Sequence, residues 1–400
     1  MGPSSLTETV AVAGLGMVSA AGDGAATTLL ALRENRSGLH ECARYADPSY
    51  MTHCVGAVPD DTWNRLGGSD AGIAGSRTYR LANHALAEAA RQAGPVLAGL
   101  DARRVALVLS TTKAEIGALE TLVAGGPCDE RSQRHILPSQ LAADLAAAHH
   151  AMGALQCVSV ACISGLVAIQ QGARLVLAGA ADAALVVGVD VLSHFVLAGF
   201  STLKSLDPRG CRPFDKDRQG LSLGEGAGAL VLVRSDLAPA PLARIKGWGV
   251  SNDANHLTGP SRDGSGLALA VERALGMANW TPDAIEYVNA HGTGTVYNDR
   301  MEALAFKTVF GNHSPWVGSS KGLLGHTLGA AGVIESALCI LAARARLMPG
   351  TPGFSIPDEE APARIAATPQ CPLPYSRILK TNAGFGGTNS ALVLEVPHVD

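Results

Sequence analysis

Three side chains in this 400-residue chain are of types suited to covalent acyl chemistry, and one cation accompanies them. Cys162 stands in VSVACISG, where a β-branched run gives way to Ser164, Gly165 and a helix-forming stretch. A thiol at a helix N-terminus meets the positive end of the helix dipole and unpaired backbone N–H groups, which favours the thiolate. The same amides can hold an oxyanion. His291, in VNAHGTGTVYND, directly follows a predicted strand and points to a loop rather than a core. His326 lies in SSKGLLGHTLGAAG, five residues after Lys321, an isolated cation in a Gly/Ser-rich turn before an apolar helix. Singly, each has an ordinary alternative. Taken alone, Cys162 reads more readily as a small buried hydrophobe, as Cys157 does. His291 reads as a loop histidine bonded to nearby backbone, Lys321 as a solvated charge, and His326 as a partnerless residue at a helix start. Jointly they say more. A thiolate beside two imidazoles fits acyl transfer followed by carbanion chemistry. Two histidines donating to one carbonyl oxygen would stabilise an enolate made by decarboxylation.

The elements that must position these residues follow from patterning. Residues 10–13, 105–109, 155–160, 183–189, 229–233, 242–250, 285–289 and 391–396 read as strands. Residues 79–93, 164–178, 267–277, 299–309 and 331–343 read as helices. Strands apolar on both faces, alternating with helices, give an α/β class with a covered sheet. The clearest seam is the polar, Pro-bearing RSDLAPAP at 234–241. Its two sides read as weak copies, residues 1–238 carrying the thiol and 239–400 both histidines. VAVAGLG pairs with ARIKGWGV, ALVLSTTK with YVNAHGTGT, and SVACISGLVAIQ with SSKGLLGHTLGAAGVIES. A duplicated unit brings equivalent strand-end loops together, where open α/β sheets build their sites.

Composition removes several classes. The chain is 47% hydrophobic and 16% charged, the reverse of a disordered segment. With 31 Lys+Arg against 35 Asp+Glu and no basic run, no nucleic-acid partner is expected. Eight cysteines without a CxxC pair argue against a disulfide scaffold or a zinc finger, and no metal spacing is evident. GLGMVS at Gly14 misses the dinucleotide fingerprint because Ser19 replaces its last glycine, and no Walker loop is present. GEGAG at 224–228 precedes a strand and reads as close packing. MGPSSLTETV lacks a signal peptide's basic start and apolar core. Residues 151–173 lack Asp, Glu, Lys and Arg, but polar residues interrupt them. They read as a buried strand entering a buried helix, not a membrane span. A cytoplasmic protein is expected.

The blocks VACISG, RPFDKDRQGLSLGEGAG, NAHGTGTVYNDRMEALA, KGLLGHTLGAAGVIE and NAGFGGTN, in this order, resemble the β-ketoacyl synthases. These are condensing enzymes of the thiolase-like fold, and the likeness runs nearly end to end. It implies a layered αβαβα architecture, no metal or redox cofactor, substrates carried on the phosphopantetheine of an acyl carrier protein, and a homodimer or a heterodimer with a homologous subunit. By the resemblance, Cys162 accepts the acyl group, and His291 and His326 assist malonyl decarboxylation. Lys321 orients His326, Glu335 supports Lys321, and Asp299 and Glu302 are structural supports. The amides of Cys162 and Phe385 form the oxyanion hole, and Phe385 gates the acyl chain. Thr258, Thr293 and Thr295 touch the pantetheine arm, Phe200 lines the entrance, and Lys204 meets the acidic carrier. Dimerisation is expected through 155–160. Ile163 stands where a smaller residue is usual, implying a reshaped acyl pocket. STTKAEIGALE (110–120) and a short 112–138 stretch also depart from fatty-acid elongation enzymes, pointing toward a polyketide or polyene pathway. The alternative is an initiation or acyl-transfer role, or a non-condensing partner subunit, though such subunits usually lack the nucleophile. A cysteine hydrolase leaves the second histidine without a role. A degradative thiolase needs a second site cysteine, and Cys371 in QCPLPYS is no such residue.

Overall fold

The computed structural model describes residues 9–67 and 76–397; the start of the signal-peptide reading, 1–8, lies outside them. Ten strands carry the architecture. The first five are β1 (Val10–Ser19), β2 (Val105–Ser110), β3 (Leu155–Val158), β4 (Ala183–Asp190) and β5 (Gly226–Arg234). The second five are β6 (Ala243–Asn252), β7 (Tyr287–Asn289), β8 (Trp316–Gly318), β9 (Arg377–Gly384) and β10 (Thr388–Glu395). Their spatial order is β8-β7-β9-β10-β6-β1-β5-β4-β2-β3. Read outward from the centre, each half gives its first, fifth, fourth, second and third strand. The strand directions repeat as well. β2 is parallel to β3 and β4, as β7 is to β8 and β9. β5 and β10 run antiparallel to their neighbours. The halves join through three antiparallel pairs, Val10 with Ile245, Ala11 with Arg244 and Val12 with Ala243.

Strand alternation assigns side chains to opposite faces, and helices cover both. In β2, Leu107 and Leu109 face α1 (Arg77–Gln92) and α2 (Pro138–Ala148), packing with Leu81, Leu86, Leu141 and Leu145. Val108 faces the other way, into a central layer of α3 (Ser164–Leu177) and α6 (Ala331–Arg344). The second half covers its outer face with α4 (Ser265–Ala278) and α5 (Val296–Phe310) through Leu267, Val271, Met301 and Phe306. The result is helix, sheet, helix, sheet, helix. In the middle layer α3 and α6 meet at two glycines. A Cβ on Gly165 would lie 2.7 Å from the Gly332 nitrogen, and one on Gly332 would lie 2.3 Å from the Leu166 nitrogen. That contact sets how closely the two halves' helix starts approach.

The strand expected to be buried at 155–160 is shorter and stands at the sheet edge, with Leu155 43% exposed. Cys157, read as buried, is exposed for the same reason. Two of these ten strands escaped the sequence reading. WVG in β8 is only three residues long, and Lys380 and Asn382 break the apolar run of β9. No helix among the described residues is long and apolar enough to cross a membrane.

Candidate active site

Cys162 is set on a tight turn between β3 and α3. Ala161, just before it, is held in the left-handed region at φ 45°, a conformation that costs an alanine energy. Ser164 clasps the turn. Its hydroxyl accepts from the Val160 N–H (2.7 Å) and donates to the Ala161 carbonyl (2.6 Å). His291 follows β7, and Glu302 on α5 takes the backbone N–H of His291 (2.7 Å) and of Gly292 (2.6 Å) on its two carboxylate oxygens. Asp299, one turn earlier, accepts from the N–H groups of Phe214 (2.7 Å) and Gly294 (3.2 Å). His326 lies between β8 and α6, tied to Ser222 and Gly224 through its backbone.

The duplicated topology brings the three side chains to one point. His326 Nε2 lies 3.0 Å from Cys162 Sγ. The imidazole rings of His291 and His326 are edge to face, with centroids 5.1 Å apart. The ligating atoms of Cys162, His291 and His326 all lie within 4.8 Å of one another, and all three residues are buried. The three members come from separate strand ends, which the duplicated pattern brings together as expected. They close the floor of a cavity of about 440 Å³. Phe200, Lys204, Thr258, Thr293, Thr295 and Phe385 line it. The Phe200 and Phe385 rings stack at 5.8 Å, Thr293 and Thr295 share a hydroxyl hydrogen bond of 2.9 Å, and Lys204 is exposed. Ile163 is fully buried and does not line this cavity.

Two further expectations change. The thiolate expected at Cys162 is not the resting form: burial pushes the thiol up to about 12, outweighing the Lys321 charge and the Phe385 N–H that faces the sulfur. Lys321 does not bond the His326 ring. Its ammonium donates to the His291 carbonyl (2.5 Å) and to Glu335 (2.7 Å), so it braces the His291 backbone and acts on His326 only through space. Burial and that charge hold His326 at about 3 and His291 well below its ordinary range, leaving both rings neutral. Burial raises the carboxyls of Asp299, to about 7, and Glu302.

Several residues at the site were missed. Lys380, fully buried on β9, pairs with the second Glu335 oxygen at 2.8 Å. Asn382 Nδ2 donates to His291 Nδ1 (2.9 Å) and to Glu335 (3.2 Å). Burial raises Glu335, but Lys321 and Lys380 together outweigh it and hold the carboxylate at about 2. Asp190, at the end of β4, receives Thr111, Thr112 and the Gly329 N–H near the His326 turn. The available signal was a lone cation, a lone amide and a lone acid in otherwise apolar elements.

Residues 7–238 match the N-terminal domain, and 242–355 the C-terminal domain, of the family described as beta-ketoacyl synthase. A protein of Streptomyces halstedii described as a polyketide beta-ketoacyl synthase is 32% identical, covering 98% of this chain and 99% of its own length. The 3-oxoacyl-[acyl-carrier-protein] synthase 2 of Vibrio harveyi is 31% identical, covering 96% and 98%. A ketosynthase of Xenorhabdus doucetiae, solved with its chain length factor, superposes with a TM-score of 0.85 at 30% identity, covering 99% of this chain and 100% of that one. The ishigamide ketosynthase/chain length factor gives 0.88 at 30% identity, covering 98% and 99%. The fold is thiolase-like. The chain belongs to the β-ketoacyl synthase family, whose members are condensing acyltransferases of fatty acid and polyketide synthesis.

Proposed function

We propose that this chain catalyses the decarboxylative Claisen condensation of a Cys162-bound acyl group with a malonyl thioester on a carrier protein. The observation that carries this is the meeting of one thiol and two imidazoles within 4.8 Å on a cavity floor. In the first step Cys162 Sγ bonds to the acyl carbon of a carrier thioester. The carrier's S–C bond breaks, and the Cys162 proton leaves with the carrier thiol. The Phe385 N–H beside the sulfur would stabilise the tetrahedral oxyanion. In the second step the malonyl C–C bond breaks, releasing carbon dioxide, and its electron pair forms an enolate whose oxygen is held between His291 and His326. The enolate carbon attacks the Cys162 thioester, and the sulfur leaves and takes a proton from solvent. Covalent catalysis thus divides one hard step into two. No resident cofactor is required.

Thr258, Thr293 and Thr295 would follow the pantetheine arm, and Lys204 would meet the acidic carrier. The edge strand β3 offers the surface for a second subunit, identical or homologous, by analogy with relatives solved beside a chain length factor. The departures at 110–120 favour a polyketide or polyene pathway, and the site of action is the cytoplasm.

Intact-protein mass spectrometry tests the reading. Wild type should gain acyl mass from an acyl-carrier panel and discharge it with malonyl carrier into a ketoacyl product; Cys162→Ala should do neither. Acylation without discharge would favour the initiation or transfer role. No acylation, with or without a partner subunit, would refute the nucleophile assignment.

A further inference from the structure

The Cys162/His291/His326 cluster has the outline of a zinc site. Zinc takes thiolate and imidazole ligands at about 2.0–2.3 Å, often three from protein with a fourth position open. Three such atoms within 4.8 Å of each other, buried at the end of a cavity, could close on one ion with little movement. What decides the matter is where the imidazole protons sit, because a metal needs a lone pair and an enolate needs an N–H.

Hydrogen-bond partners answer this for both rings. The Leu328 backbone N–H points at His326 Nδ1 from 3.3 Å. A backbone N–H can only donate, so Nδ1 accepts and the proton of the neutral ring lies on Nε2, facing Cys162. For His291 the partner is the Asn382 side chain, whose amide has two possible orientations. Glu335 removes the ambiguity. Asn382 Nδ2 bonds His291 Nδ1 at 2.9 Å and Glu335 at 3.2 Å, and Glu335 is ionised between two lysines. Turning the amide round would set its oxygen against that carboxylate. Asn382 Oδ1 is left buried without a partner, so the orientation is imposed from the donor side.

We propose that Asn382 is a positioning residue that fixes the His291 proton on Nε2, so that the cluster presents two N–H donors to an enolate and rejects a divalent metal ion. Shifting either proton to Nδ1 would press two donors together in a buried site, with no acceptor between them. The Leu328 lock is part of the backbone; the Asn382 lock can be removed by substitution. Its catalytic consequence rests on the enolate-binding role proposed above, whereas its tautomer and metal consequences do not.

The test has three readouts. Long-range proton–nitrogen NMR of wild type should show His291 Nδ1 with the shift of an unprotonated nitrogen; an Nδ1–H signal would overturn the proposal outright. Zn²⁺ titration against a chromophoric chelator should show no uptake by wild type beyond that of Cys162→Ala. Asn382→Asp, which replaces the donor with an acceptor, should move the His291 proton and show an Nδ1–H signal in the same NMR experiment, while the Leu328 N–H still holds the His326 proton. Micromolar, Cys162-dependent binding by wild type would overturn the proposal, as would a His291 Nδ1 that stays unprotonated in Asn382→Asp when its folding is intact. In Asn382→Leu, malonyl decarboxylation should fall by about tenfold or more relative to Cys162 acylation, the scale of such supporting contacts. Equal losses in both steps would remove the catalytic arm. If no carrier acylates Cys162, the condensing role fails while the NMR and zinc outcomes still decide this proposal.

Discussion

Replacing Glu335 by glutamine keeps the side chain's shape and removes the one negative charge that pairs two buried ammonium groups. Lys321 and Lys380 lie 2.7 and 2.8 Å from its oxygens, and all three residues are at most 1% exposed. The carboxyl is held at about 2 rather than 4.5. At 1.36 kcal/mol per unit this difference is worth about 3 kcal/mol to the folded state at neutral pH. Breaking a buried pair costs about 3–5 kcal/mol in general, so Glu335→Gln should lower the unfolding free energy by about 3 kcal/mol, measured by urea denaturation at pH 7. The sign of the pH dependence follows. A carboxyl depressed in the fold stabilises fully above about 4.5 and loses that contribution as pH falls toward 2. The gap between wild type and variant should therefore be widest above pH 5 and narrow toward pH 2. On the alkaline side burial makes the unpaired Lys380 ammonium bind its proton less readily in the fold than in the unfolded chain, so the variant should regain stability as pH rises toward 10. Adding Lys380→Met removes one uncompensated charge and should recover part of the loss. A single variant within about 0.5 kcal/mol of wild type at pH 7, where surface substitutions fall, would refute this account. So would a double variant no more stable than the single one.

Three further outcomes follow from other contacts. Gly332→Ala should destabilise by about 1–3 kcal/mol in thermal unfolding, the range for overpacking, because its Cβ would meet the Leu166 nitrogen at 2.3 Å; an unchanged melting temperature would contradict the crossing of α3 and α6. With His326 at about 3 and His291 also depressed, malonyl decarboxylation should be flat between pH 5 and 8, and a midpoint near 6.5 would show a charged imidazole instead. Ala161→Val, a β-branched residue at φ 45°, should cost about 1–3 kcal/mol and slow Cys162 acylation, while Ala161→Gly should retain both stability and acylation.

The duplication was legible because it is written twice in patterns that tolerate drift: a β-branched run, a polar strand-end loop, then a glycine-bearing turn into an apolar helix. That alone predicted the meeting of Cys162, His291 and His326, since equivalent loops of two copies must converge. The burial of β3 was misread because its apolar residues reflect a surface left open in a single chain. Hydrophobicity states that a surface leaves water, without saying whether a second subunit covers it.

The Cys162 ionisation failed for a different reason. The helix-end argument weighed the dipole and left out desolvation, and in a fully buried site burial is the larger effect. The missed residues were readable by the same logic. In β9, Ile378, Lys380 and Asn382 alternate with Leu379, Thr381 and Ala383. Ile378 joins the central layer, and Leu379 and Ala383 join the outer core. Period two therefore puts Lys380 and Asn382 on the face that meets α6. That helix is buried almost all round and carries one acid, Glu335. A lone cation aimed at a buried helix requires a partner, and Glu335 is the single carboxylate α6 can offer. The pairing was thus deducible once β9 was recognised as a strand, and the polar residues that make it functional are the ones that hid it.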